Sequence, residues 1–505
     1  MKSTEKVWTI LACVCALFRC AGYSPAADWN QWRGPQGTGV APDSPAIVRS
    51  LPASGILPIW QSEDSIPSGG QGGWGSPVVA DGCVFLFAHE KTKVSDEDLP
   101  PAKFPYLAPE KRTSMSEAEY EQYERNRRDE QETRSKNFRF DERVYCLDLD
   151  NGKTRWRNEM ESLYCRFPQS GTPAVIEKRI YVLGAGRRAR CVDAVNGKSL
   201  WETRLPGEFR DEFLQSSICV ADGVAIVVAQ QVFGLDASNG KVLWQLSETK
   251  EQAGHASPVV FSTSNEDLVI VHVGRETVCL DPHDGSVRWR VESHASHSTP
   301  VVIENRLLTY GGSRKSGLRC FEISAREARE QWVFNGSADS GSSPVVANDL
   351  VFVQGERRLA CVDLSTGKSH WMTLLQLDRP RYASLVAADG MVFYAWDGLL
   401  GFAADPNKFL PKIDARIDDE GRMAEATFFR EKLGMRELER TGEGQVEAEK
   451  LWKKTFRDSG PLNCTTPAIA DGRLYLRTKS RVICYDLARR PGKEPSARET
   501  TEQLP

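Results

Sequence analysis

Residues 146–156 read CLDLDNGKTRW, and close variants of this text return at 191–201 (CVDAVNGKSLW), 279–289 (CLDPHDGSVRW) and 361–371 (CVDLSTGKSHW). Aspartate precedes tryptophan by eight residues in five places: Asp148 and Trp156, Asp193 and Trp201, Asp236 and Trp244, Asp281 and Trp289, Asp363 and Trp371. Around these hairpins, short β-branched runs are separated by turn residues, which reads as strands. A step of the form [ST]-P-V-V opens each unit, at Pro77, Pro173, Ile218, Pro258, Pro300, Pro344, Leu385 and Pro467. Successive openings lie 96, 45, 40, 42, 44, 41 and 82 residues apart, so two of the units carry insertions. Four strands in a repeat of roughly 40–45 residues are the signature of a β-propeller. The expected fold is all-β: an eight-bladed β-propeller of four-stranded antiparallel blades, closed by its two termini, with two mainly helical insertions.

Within each hairpin the roles divide. Asn151-Gly152 signals a tight turn with two positive φ angles. The aspartate side chain can hold that turn through the following backbone amides, and the tryptophan can bury its ring against the next blade. The eighth unit ends without a tryptophan, whereas Trp60 lies as far before Pro77 as Trp156 lies before Pro173. Residues 57–62 are therefore expected to supply the outer strand of the last blade and to remove the open sheet edges. The fifth unit departs from the pattern, with Glu322 in place of aspartate and Trp332 ten residues later.

This D-x-x-x-G-K-x-x-W run resembles the tryptophan-docking motif of pyrroloquinoline quinone (PQQ) repeat propellers. It is similar both to quinoprotein dehydrogenases and to the non-catalytic propeller lipoprotein of outer-membrane β-barrel assembly. The resemblance spans residues 57–487. The opening WNQWRGPQGTGV is similar to the start of many exported PQQ-like repeat proteins.

The chain has 505 residues, 27% of them charged, and a formal net charge of −4. No basic stripe recurs, which argues against nucleic acid as a partner. Lys2 and Lys6 precede an apolar run from Val7 to Phe18 and the small residues SPAAD, the pattern of a secretory signal over 1–27. Removing it would take the net charge to −6, since Lys2, Glu5, Lys6 and Arg19 leave with it. Twelve apolar residues are too few to span a bilayer. The expected organisation is a signal peptide (1–27), an extended segment (28–56), the propeller (57–487, insertions 91–142 and 404–450) and a disordered tail (488–505), in a monomeric periplasmic or secreted protein.

Candidate chemistry is sparse. Six cysteines, Cys146, Cys191, Cys279, Cys320, Cys361 and Cys484, share one repeat position, too far apart from blade to blade to bridge; they read as small buried residues. Whether Cys165 and Cys464 pair is left open. The position three residues before each opening proline lies on one rim of the channel and reads Trp74, Ser170, Gln215, His255, His297, Gly341, Tyr382 and Cys464. Of these, Trp74, Gln215, His255, His297 and Tyr382 are the candidate ligand-funnel residues. His272 and His283 are expected to face apart, and no metal is expected. Arg166, Arg210 and Arg381 fall in rim connections where they could meet an acidic cofactor. The resemblance to dehydrogenases would imply adjacent cysteines, a calcium-binding Glu, Asn and Asp set and a catalytic Asp, none of which this chain matches. GPQGTG (34–39) lacks the flanking strand and helix of a phosphate loop. In the first insertion Ser116 and Glu119 make a capping box, and Glu121–Arg125 and Glu124–Arg128 are helix-spaced pairs. The second insertion is expected in the C-to-D connection of blade seven, on the opposite rim. The leading reading is a non-catalytic envelope scaffold that binds a protein or an extracellular ligand, with no catalytic residue and no cofactor. The alternatives are a quinoprotein oxidoreductase using PQQ and calcium in a divergent pocket, and a carbohydrate-binding propeller.

Overall fold

The computed structural model describes residues 28–94, 98–207, 209, 214–246, 255–295, 297–376 and 382–489; the segment 1–27 expected to be a signal peptide, Arg210, Arg381 and the expected tail beyond 489 lie outside them. Eight antiparallel sheets follow one another along the chain. Blade 1 consists of strand A (Val78–Ala80), B (Cys83–Lys93), C (Phe138–Asp148) and D (Thr154–Glu161). The B strands are buried on both faces: all six residues of Val224–Ala229 in blade 3 are buried. They therefore read as continuous apolar runs, and the core lies between blades. Val78, Phe85, Phe87 and Val144 of blade 1, for example, pack against Val175, Ile180, Val182 and Val192 of blade 2. The last blade pairs Ala468–Ala470, Arg473–Arg477 and Val482–Asp486 with Trp60–Gln61, Trp60 standing opposite Cys484. The ring is closed by strands from the two ends of the described chain.

The repeated hairpin works in two directions. Asp148 Oδ1 accepts the amides of Asp150 and Asn151 at 3.0 and 3.2 Å, and the Gly152 amide returns to the Asp148 carbonyl at 2.9 Å. Only Gly152 takes a positive φ, +70°, and Asn151 does not. The turn is thus a longer loop capped by the aspartate, not the two-residue turn expected. Onto it comes the tryptophan of the preceding blade: Trp60 on Gly152, Trp156 on Gly197, Trp201 on Gly240, Trp244 on Gly285 and Trp332 on Gly367. Six of seven indoles also donate to a carbonyl of that loop, from Trp60 to Leu149 at 2.8 Å through Trp371 to Asp405 at 2.8 Å. In blade 5 Ser324 stands in for the aspartate, its Oγ accepting the amides of Arg326 and Glu327, so this loop still receives Trp289, and the irregular Trp332 docks on blade 6 like the others. The cysteines have a reason as well. Cys146, Cys191, Cys279, Cys320, Cys361 and Cys484 each stand directly across the hairpin from a docking tryptophan, where a small side chain leaves room for the ring; blade 3 uses Gly234 there. All six are free thiols, as are Cys165 and Cys464.

A second ring, of hydroxyls, lies inside. The Ser or Thr that opens each strand A gives its amide to the hydroxyl of the next: Ser76 to Thr172, Ser217, Ser257, Thr299, Ser343, Ser384, Thr466 and back to Ser76, over 2.9–3.3 Å. Where Ile218 and Leu385 replace the proline, the hydroxyl residue stays.

Residues 28–48 run through the channel. Trp29 pairs with Val79, Asn30 with Val175, and Trp32 Nε1 donates to Thr299 Oγ1 at 2.9 Å. Arg33 is fully buried and bonds the carbonyls of Thr38, Pro344 and Leu385. Val40–Ala41 adds a parallel strand beside Val386–Ala388 of blade 7. GPQGTG belongs to this plug.

Both insertions differ from expectation in place. Strands B and C of blade 1 run on to Lys93 and from Phe138, so the first insertion is confined to 94–137. It contains helix Glu117–Ser135 with the Ser116/Glu119 capping box; Arg125 pairs with Glu121, but Glu124 pairs with Arg127 rather than Arg128. In blade 7 strand D is Pro411–Ile417, paired with strand C (Gly398–Ala403). The second insertion therefore follows strand D, through Met423–Glu425, the helices Ala426–Lys432, Met435–Leu438 and Gly442–Phe456, to strand A of blade 8. B-to-C and D-to-A connections share a rim in an antiparallel blade, so both insertions leave from the same rim. Blade 7 lacks a docking tryptophan on strand D, which hid that strand.

Candidate functional site

The channel opens on that rim as a funnel of about 440 Å³. All eight rim positions identified from the repeat, Trp74, Ser170, Gln215, His255, His297, Gly341, Tyr382 and Cys464, line it. Four members of the hydroxyl ring, Thr172, Ser217, Ser257 and Thr299, line it lower down, and Trp32 of the plug reaches into it. The plug makes the funnel a cup. Trp32 was the residue missed from sequence: nothing in WNQWRGPQGTGV shows that its second tryptophan meets blade 5.

Repeat equivalence places His255 and His297 side by side, with ring centroids 4.8 Å apart. Burial lowers both pKa values, that of His255 to about 4 with His297 adding to the shift. Both rings are neutral at pH 7. Tyr382 and Cys464 hold left-handed backbone at φ +54° and +65°, a conformation that disfavours side chains and so marks the rim as locally strained. His272 is buried against Thr277 in strand B of blade 4, while His283 is exposed near Asp222, so these two do face apart.

Among the described residues the funnel wall contains no aspartate or glutamate. The nearby Asp339 is buried, its Oδ1 taken by the amides of Gly341 and Ser342 at 2.8 and 2.6 Å. A calcium ion that carries a quinone needs several oxygen ligands, carboxylates among them, and the described residues of this wall include no carboxylate. Among the described residues no three His, Cys, Asp or Glu side chains converge as a metal site.

One constellation imitates a catalytic triad. Ser162 Oγ lies 3.1 Å from His89 Nε2 and 3.0 Å from Glu142 Oε1. Its polarity is wrong for nucleophile activation. His89 Nδ1 accepts the Gln169 amide at 3.1 Å, so the neutral ring carries its proton on Nε2 and donates to Ser162, which donates to Glu142. Glu142 is fully buried and neutralised by Arg190. The cluster joins blades 1 and 2. Arg166 lines not the funnel but a second cavity beneath the first insertion.

The family model described as "Outer membrane protein assembly factor BamB" matches residues 141–395, just over half of the chain. Tetrathionate hydrolase of Acidithiobacillus ferrooxidans is 20% identical over 252 residues, 45% of this chain and 48% of that protein, so the chain spans about half the length of this relative. Among solved structures, a quinohemoprotein alcohol dehydrogenase from Pseudomonas putida is 12% identical, covers 94% of this chain and 82% of its own, and has a TM-score of 0.54. A europium-containing methanol dehydrogenase is 11% identical over 76% and 84%, with a TM-score of 0.50. At such identities these likenesses establish the fold alone. The repeat, the docking tryptophans and the match to more than half of its length make this chain a member of the BamB-type family of PQQ-like β-propellers.

Proposed function

We propose that this chain is an exported, non-catalytic binding propeller of the cell envelope, which docks a partner protein on the rim that carries the funnel and both insertions. The supporting observation is the gathering of these features on one rim: the helical segments over 94–137 and 418–467 leave from the rim of a cup that Trp32 lines and whose described wall residues include no carboxylate. Membership in a family described by an assembly factor supports a protein partner. Among the described residues no helix is long and apolar enough to cross a membrane. In this reading the chain carries no quinone.

Two measurements test the proposal. Affinity capture from envelope extracts should return a partner that is lost when 94–137 is replaced by a short turn; retention of the same partner would contradict the docking role. Melting curves with PQQ and calcium should show no upward shift and dye-linked oxidation of alcohols should be absent. A ligand that binds only the folded state must raise stability, so a clear shift with turnover would favour the oxidoreductase instead.

A further inference from the structure

A second cavity of about 440 Å³, the size of a small-molecule site, lies between helix Glu117–Ser135 and the extended ends of strands B and C of blade 1. One wall is aromatic. Lys91 stands opposite Phe140 in the strand register, with Phe138 on the same face, and Tyr164 packs on Phe140 at 5.7 Å. Cations complete the lining: Lys91 on the same strands, with Arg127 (paired with Glu124 at 3.0 Å), Arg134 and Arg166.

Among the described residues that lining holds one carboxylate, Glu130, and it is committed elsewhere. Its two oxygens accept the amides of Lys103 and Phe104, each at 2.8 Å, and Arg134 stands 3.9 Å away. The Lys91 ammonium lies 4.0 Å over the Phe138 ring, and no carboxylate is recorded beside it among the described residues. Burial, and then the neighbouring Arg134 guanidinium, push its pKa below the usual lysine value. Lys91 thus stands in the cleft with no described carboxylate beside it, and Arg134 shares only Glu130, whose oxygens already serve two amides, an arrangement that an anion relieves. Arg127 Nε and Gln131 Oε1 are also buried here without hydrogen-bond partners.

We propose that this cleft is a binding site for a small organic anion, a carboxylate on an aromatic body, whose charge meets Lys91 and Arg134 while its ring lies against Phe138 and Phe140. The site is separate from the funnel and does not depend on the docking role.

Calorimetric titration of the full chain with phenylacetate and indole-3-acetate tests it, with phenylacetamide, acetate and sulfate as controls. The aryl carboxylates should bind with Kd below about 1 mM, and the amide and the ring-less anions at least tenfold more weakly, as expected when charge and ring both contribute. Lys91→Met, which keeps an apolar stem on Phe138, should weaken phenylacetate at least tenfold with an unchanged melting curve. Arg134→Gln, which leaves strand B intact, provides the second variant. No heat at millimolar aryl carboxylate, equal binding of the amide or of sulfate, or full affinity in either folded variant would overturn the site.

Discussion

An indole laid flat across a neighbouring hairpin tolerates almost nothing beneath it. A Cβ on Gly197 would lie 2.5 Å from the Trp156 ring, and Gly197 also holds φ at +74°. Gly82, in the A-to-B turn of blade 1, holds a similar +71° but meets nothing within 4 Å. The two positions separate the contributions. Gly82→Ala should cost about 1 kcal/mol, the left-handed penalty alone, whereas Gly197→Ala should cost about 3 kcal/mol once the ring is displaced. Urea midpoints at constant m-value measure the difference, and equal losses would mean that the tryptophan does not hold the blades. At this scale the sequence was informative, because Asp, Gly and Trp recur at fixed spacing. The facing cysteine was legible as small and buried, but its purpose needed the strand register, which sets Cys146 across from Trp156.

Blades are joined at their inner ends by the hydroxyl ring. Removing one acceptor strands a buried amide, which costs about 1–3 kcal/mol. Ser217→Ala should therefore lower stability by that amount, because the Thr172 amide loses its 2.9 Å partner, while Ser217→Thr should recover most of it. A fully stable alanine variant would show that water replaces the hydroxyl. The ring was half visible: the serine or threonine was read as part of a strand opening, but its bond reaches one blade onward, some 40 residues away, beyond any local pattern. Strand D of blade 7 escaped notice because it lacks the tryptophan that flags its counterparts, although Ile413, Ala415 and Ile417 alternate inward as a strand should. The second insertion, expected to be mainly helical, starts with a short strand, and its first helix is broken at Gly434, whose φ of +62° precedes the next.

For the molecule as a whole, buried histidines set the acid limit. His272 titrates at about 4 in the fold and His255 at about 4, both through burial, with His89 and His297 lowered as well. A folded pKa below the unfolded value of about 6.5 means that the unfolded chain takes up protons first, so stability falls as pH drops from about 6.5 to 4 and is flat above that window. His272 alone accounts for about 3 kcal/mol over that range. Denaturation midpoints at pH 7.5 and 4.5 should differ accordingly, and His272→Gln should flatten the slope; a midpoint independent of pH would contradict the burial of these rings. The circular plan and the role of Trp60 were legible from counting units, and the funnel residues followed from repeat equivalence. The plug was not, because its partners are spread over the ring and its own text has no period. That plug has an evolutionary corollary. Residues 29–48 bond Val79, Val175, Thr299, Pro344, Ala387 and Leu487, so one short segment ties six of the blades together across the axis. Duplicating or losing a repeat would carry those partners out of reach of the segment, so it could not cross a ring of another size with the same bonds.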